Sequence, residues 1–163
     1  MHQLAPAVVA ASLAFVLPTA ALAQRPDFSG TWTMDPSRSA SAVQNDPIKS
    51  KSVVIHQSGN ELTIERTTDG KTHSVRYKLG APDSRSAGAT ANESMWYWDG
   101  PRLVTETVGN VSEVTVRTKE VHSLDPTGAE LTIETLLVVE HGYTLRGAKN
   151  YSSGKDVYKK TGQ

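Results

Sequence analysis

No cysteine occurs in this sequence. That removes disulfides, thiolate nucleophiles, thiolate metal sites and lipid attachment through a cysteine. An excess of charge of either sign is missing as well, since 17 Lys and Arg face 17 Asp and Glu. A balanced, mixed surface lacks the clustered cations that nucleic acid and anionic membranes select, so neither is expected as a partner. Aromatic residues are sparse at 6%, and they concentrate at Trp96-Tyr97-Trp98. Helical periodicity is also absent: no stretch of a dozen residues carries apolar spacing at three and four together with caps.

The segment 1–23 contains no Asp, Glu, Lys or Arg. It runs through an apolar stretch, Val8 to Leu17, and ends in Ala21-Leu22-Ala23, the small-x-small pattern that signal peptidase accepts. The stretch is too short to span a bilayer. It predicts a signal peptide over 1–23 cleaved before Gln24, a periplasmic or secreted location, and a mature chain without an integral membrane segment. The alternative is a retained hydrophobic anchor. Residues 24–163 suffice for one domain with a single core. Sequons at Asn92, Asn110 and Asn150 matter only in a host that glycosylates exported proteins.

What the mature chain does carry is alternation with period two. Strands are expected at 28–34, 52–57, 61–68, 71–79, 93–98, 102–108, 111–123, 130–139, 143–149 and 155–160, separated by turn residues. The segments 35–50 and 80–92, rich in Ser, Pro, Gly and Ala, read as long loops. Two-residue turns at Gly59-Asn60 and Asp69-Gly70 pair Gln57 with Leu62, Ile55 with Ile64, Ile64 with Val75, Leu62 with Tyr77 and Arg66 with His73. Val53, Ile55, Leu62, Ile64, Val75, Tyr77 and Leu79 then share one face. An even-length turn at Asp99-Gly100-Pro101-Arg102 puts Trp96, Trp98, Leu103, Thr105 and Thr107 together. A further turn at Gly109-Asn110 adds Ser112, Val114 and Val116 to that face. A one-residue slip would turn every inward side chain outward, so agreement among turns fixes the inside. The fold expected is all-β, an antiparallel up-and-down meander closing into a barrel of about 8–10 strands.

Two segments carry a family resemblance. Phe28-Ser29-Gly30-Thr31-Trp32 resembles the Gly-x-Trp first strand of lipocalins and fatty-acid-binding proteins, which implies a tryptophan closing one end of the barrel. Trp98-Asp99-Gly100-Pro101-Arg102-Leu103-Val104-Thr105-Glu106-Thr107 is similar to a hairpin of a group of exported bacterial lipocalin-like proteins. Those proteins also resemble this chain in its closing Val157-Tyr158-Lys159-Lys160. The resemblance to the fatty-acid-binding pattern stops at 35–50, which has no helix-turn-helix lid, and at the paired-arginine-and-tyrosine carboxylate clamp.

The inward face also collects polar residues. Arg66 and His73 pair across one hairpin, and Thr118, Glu120 and His122 continue the parity of Val114 and Val116. Buried charge is costly unless paired or solvated, so these residues mark a wet cavity or lie at a mouth open to water. Trp96 and Trp98 either line a pocket or fill the core. The candidate ligand-binding set is therefore Arg66, His73, Tyr77, Trp96, Trp98, Glu120 and His122. Among His56, His73, His122 and His141 no pair has the spacing of metal ligands on one strand or helix face, and no metal or cofactor is expected. Nucleophile-elbow, Walker and dinucleotide signatures are absent. Catalysis is left to Glu120 and His122 as an acid–base pair and is the least favoured of three readings. The first is a carrier of a small hydrophobic or amphipathic molecule. The second is a filled-core interaction module with an outward apolar strip of Tyr97, Val104, Val108, Val111 and Val121. Ligand identity and oligomeric state are left open.

Overall fold

Leu62 and Ile64 alternate with polar neighbours along β3 (Glu61–Thr68), and Val53 and Ile55 take alternate positions of β2 (Lys51–Ser58) on either side of the less buried Val54. All four are completely or almost completely buried, because a strand sends successive side chains to opposite faces. The computed structural model describes residues 25–42, 51–80, 93–111, 114–141 and 149–162. The remaining strands are β1 (Gly30–Met34), β4 (Lys71–Leu79), β5 (Glu93–Asp99), β6 (Arg102–Val111), β7 (Val114–Leu124), β8 (Glu130–His141) and β9 (Lys149–Gly162). They hydrogen-bond in sequence order, and β9 returns to β1 to close the barrel. No helix among the described residues is long and apolar enough to cross a membrane.

The registers at the first two turns are those expected: Ile55 faces Ile64, Ile64 faces Val75, and Arg66 faces His73. At the Asp99–Arg102 turn, Trp98 faces Leu103 and Trp96 faces Thr105. Three expectations about strand pairing need correction. Gly109-Asn110 is not a turn: β6 runs through both residues and pairs Val111 with Val114. The reversal thus lies three residues further along, between Val111 and Val114, but still spans two residues, so Glu120 and His122 keep their inward parity, now opposite Thr105 and Leu103. Residues 155–160 are not a separate final strand but part of β9, paired with β8 from Lys149 to Lys159. The expected strand 143–149 falls, apart from Lys149, outside the described residues. Finally, one pairing is parallel, Lys78 with Met95 and Leu79 with Trp96 between β4 and β5. The reason is closure. An odd number of strictly alternating strands would bring β9 back parallel to β1, whereas these two pair antiparallel. One parallel pair elsewhere restores the balance, and the long 80–92 connection makes it reachable.

Phe28, Trp32, Leu62, Trp96, Leu103 and Leu131 belong to one buried cluster, with Trp98 and Leu124 packed against it. These residues fill the end of the barrel where the β2–β3, β5–β6 and β7–β8 turns lie, and the cluster continues through Ile55 and Ile64 to Val53, Ile133 and Tyr158. Trp32 is fully buried and donates its indole N–H to the Phe28 carbonyl at 3.0 Å, so the opening Gly-x-Trp segment does close one end. Each such side chain contributes about 1.5–3 kcal/mol through removal of apolar surface from water.

Beyond β1 the chain makes a 3₁₀ turn, Pro36–Arg38, capped by Asp35. It then bridges to β9 through Ala40 and Lys155, which exchange two backbone hydrogen bonds of 2.8 Å. Residues 43–50, the rest of this expected loop, lie outside the described residues. The outward strip is also corrected. Tyr97, Val104 and Val108 are buried despite their outward parity, and the Tyr97 hydroxyl donates to Glu106 at 2.8 Å. They are not an exposed apolar surface.

Candidate functional site

At the opposite end the barrel is not filled. A half-open cavity of about 240 Å³ is lined by apolar Ala42, Val53, Ile133 and Leu137 and by polar Arg66, Thr118, Glu120, Asp156 and Tyr158, among others. Alternation is responsible for the mixture. Along β3 the inward positions are apolar toward the closed end, Leu62 and Ile64, and polar toward the open end, Arg66 and Thr68, so one strand face changes character along its length.

Arg66 and Glu120 form an ion pair across the barrel, from β3 to β7. The Arg66 Nη1 also donates to the Tyr77 hydroxyl at 3.4 Å, and Thr105 Oγ1 donates to Glu120 Oε2 at 3.2 Å. Burial works against the Arg66 charge, but Glu120 and then Tyr77 outweigh it and hold its pKa above the ordinary value. The Tyr158 phenol is pushed up from its ordinary value by burial, with Asp156 acting in the same direction.

Behind Glu120 lies His122, completely buried. Its Nδ1 sits 3.2 Å from the Leu103 carbonyl oxygen. A carbonyl only accepts, so Nδ1 carries the proton and Nε2 presents a lone pair. That Nε2 is a buried polar atom without a hydrogen-bond partner, 3.8 Å from Glu120 Oε2. Burial depresses the His122 pKa to about 4, with Glu120 opposing and Arg66 reinforcing the shift. The ring is therefore neutral at pH 7.

A second polar chain stands at the mouth. Lys51 Nζ donates to Ser41 Oγ at 3.0 Å, and Ser41 Oγ donates to Asp156 Oδ1 at 2.7 Å. The described charged lining therefore consists of two cations and two anions, each matched.

Of the seven residues singled out from sequence, Arg66, Tyr77, Glu120 and His122 come together, and two of them, Arg66 and Glu120, line the cavity. His73 shares the face of Arg66 but is exposed and outside the lining. Trp96 and Trp98 lie at the closed end, edge to face with centroids 5.8 Å apart. Trp96 is buried and donates to the Asn60 carbonyl at 3.3 Å, so the pair fills core rather than lining the cavity. Sequence reasoning missed Tyr158 and Asp156, although both sit in the strand expected at 155–160 and pair with Leu131 and Ile133. Lys51 was missed by starting β2 one residue late. Ser41 comes from an aperiodic segment and had no signal. Among the described residues no three His, Asp or Glu side chains are grouped as for a metal ion.

No protein-family model matches the chain. No curated protein matches it either. Solved structures do. Human cRBP IV is similar with a TM-score of 0.53 and 21% identity, over 83% of this chain and 99% of that one. The wild-type fluorescent protein UnaG is similar with a TM-score of 0.51 and 17% identity, over 82% of this chain and 97% of that one. At such identities the likeness concerns the fold: this chain has the closed β-barrel architecture of those proteins.

Proposed function

We propose that this protein is an exported binding protein for a small amphipathic molecule held in the open half of the barrel. The observation that carries the reading is the division of the interior. One end buries Trp32, Trp96 and Leu103 in the core, and the other keeps a cavity in which an apolar wall meets a paired Arg66 and Glu120. Binding cavities combine mostly apolar walls with a few placed polar groups that orient the ligand. Val53, Ile133 and Leu137 receive the apolar part, and Arg66 with Glu120 receives the polar head. A volume of about 240 Å³ is slightly below the roughly 300–1,000 Å³ common for ligand pockets, which favours a short molecule over a long lipid chain. Export rests on the charge-free 1–23 segment and its Ala-Leu-Ala end. A mature N-terminus at Gln24 in the native host is the expected outcome of terminal sequencing.

The test of binding is titration with an environment-sensitive fluorescent amphiphile, with short-chain amphiphiles as competitors. Saturable binding is expected in the native protein. In Leu137→Trp, where an indole occupies the cavity, at least tenfold weaker binding is expected with an unchanged unfolding midpoint. Equal binding by Leu137→Trp, or no saturable binding in the native protein, refutes this reading.

A further inference from the structure

The polar cluster is neutral as it stands: Arg66 is positive, Glu120 negative, and His122 uncharged with its Nε2 lone pair directed at nothing that donates. Resting on the proposed function, the question is which head group this arrangement accepts. An incoming cation would have to take Glu120 from Arg66, stranding a guanidinium whose other side-chain hydrogen bond is a long one to Tyr77. An incoming anion would take Arg66 from Glu120. Glu120 would keep Thr105, and it already has His122 Nε2 at 3.8 Å. The alternatives are therefore unequal: Glu120 has somewhere to turn and Arg66 does not. An anion nevertheless adds a negative charge to a partly buried neutral cluster, and such a charge is costly unless compensated.

We infer that the ligand is a short-chain carboxylate whose binding is coupled to uptake of one proton by the Glu120–His122 pair. The ligand carboxylate replaces Glu120 on Arg66. One proton from solvent enters at His122 Nε2, and the resulting N–H donates to the Glu120 carboxylate. Charge balances before and after, with Arg66 and Glu120 giving zero without ligand, and Arg66, protonated His122, Glu120 and ligand giving zero with it. The one buried side-chain atom lacking a partner among the described residues thereby becomes a donor with an acceptor beside it. The groups facing this pair are Arg66 on β3, Tyr77 on β4, Thr105 and the Leu103 carbonyl on β6, and Tyr158 with Asp156 on β9. The Tyr158 phenol stays protonated, since burial raises its pKa. Asp156 is held by Ser41.

Titration calorimetry of octanoate into the protein, repeated at pH 7 in two buffers of different ionisation enthalpy, counts the protons. About one proton taken up per octanoate is expected, with affinity rising about tenfold for each unit of pH lowered toward 5. Octanol is expected to bind without proton uptake. Glu120→Gln makes the discriminating variant: with the carboxylate gone, the ligand alone neutralises Arg66. This variant is expected to bind octanoate at least tenfold more tightly at pH 7 and to take up no proton. A merely structural role for Glu120 would weaken binding instead. His122→Gln is expected to lose proton uptake and to bind octanoate at least tenfold more weakly. Octanoate binding without proton uptake, or with affinity independent of pH in the native protein, overturns the inference and needs no variant. Octanol bound with octanoate excluded overturns it while leaving the binding cavity intact. Binding of neither removes the proposed function and this assignment together.

Discussion

His122 ties its Nδ1–H to the Leu103 carbonyl and leaves Nε2 facing a carboxylate across 3.8 Å, so the fold is built around an uncharged imidazole. Its pKa is about 4 when folded, against 6.5 ordinarily. Between those values the unfolded chain holds a proton at this residue that the folded one does not, so stability falls as pH drops from 6.5 through 4 and rises in the other direction. The loss approaches about 3 kcal/mol once pH is below both values. Asp35, Asp125 and Glu130 are hydrogen-bonded carboxylates with lowered pKa, and their stabilisation is lost in a lower window. Urea unfolding at pH 7.5 and 5 is therefore expected to show a drop in stability that His122→Gln largely removes. A drop of equal size in the variant would place the sensitive group elsewhere. This residue was legible from sequence because parity survives any shift of a β6–β7 turn that stays two residues long. Its empty Nε2 was not, since that depends on which atoms of β6 happen to lie beside the ring.

At the scale of elements, the segment 35–42 acts as a strap. It follows β9 from Asp35 to Ala40 and then turns into the barrel mouth, where Ser41 and Ala42 line the cavity. The turn passes over Gly154, where a Cβ would lie 2.1 Å from the Ala42 nitrogen and 2.6 Å from the Ala40 oxygen. Both atoms are backbone and neither can swing aside, so any side chain at 154 displaces the strap. Gly154→Ala is expected to cost about 1–3 kcal/mol, the range for forced overpacking. It is also expected to raise hydrogen exchange at the Ala40 and Lys155 amides while leaving the β8–β9 amides protected. Gly109→Ala, at a site with nothing within 4 Å of the added carbon, serves as control and is expected to be near neutral. Wild-type exchange at Ala40 and Lys155 in Gly154→Ala would show that the strap tolerates the side chain. The sequence offered half of this. Its Ser and Pro content marked 35–50 as loop, and a glycine inside a strand signals close backbone approach. Nothing local joins residue 42 to residue 154, so the partner had to come from the structure.

Across the whole molecule, period-two alternation and the hairpin turns carried the reading to a closed barrel, because the turns after β2, β3 and β5 fell where expected and the misplaced one after β6 kept an even length. The parallel β4–β5 pair escaped it, being a consequence of strand number and closure that no single hairpin encodes. The division of the interior was likewise invisible: inward parity says which side chains meet, but not whether they meet in a packed core or around a void. That division makes a prediction about where stability resides. Leu62 and Leu103 are fully buried in the closed end, and truncating either leaves a void that surrounding strands cannot fill. Leu62→Ala and Leu103→Ala are each expected to cost about 2–5 kcal/mol. Leu137 already borders a cavity and is only partly buried. Its removal enlarges an existing space and forfeits fewer contacts, so Leu137→Ala is expected to cost about 1 kcal/mol or less, below the usual range for a packed leucine. Denaturant unfolding of the three variants measures the difference. Equal losses at all three positions would mean that the open half is packed as tightly as the closed one, which leaves no room for a ligand. A clear gap means that the chain concentrates its cohesion at one end and so can leave the other end free to bind.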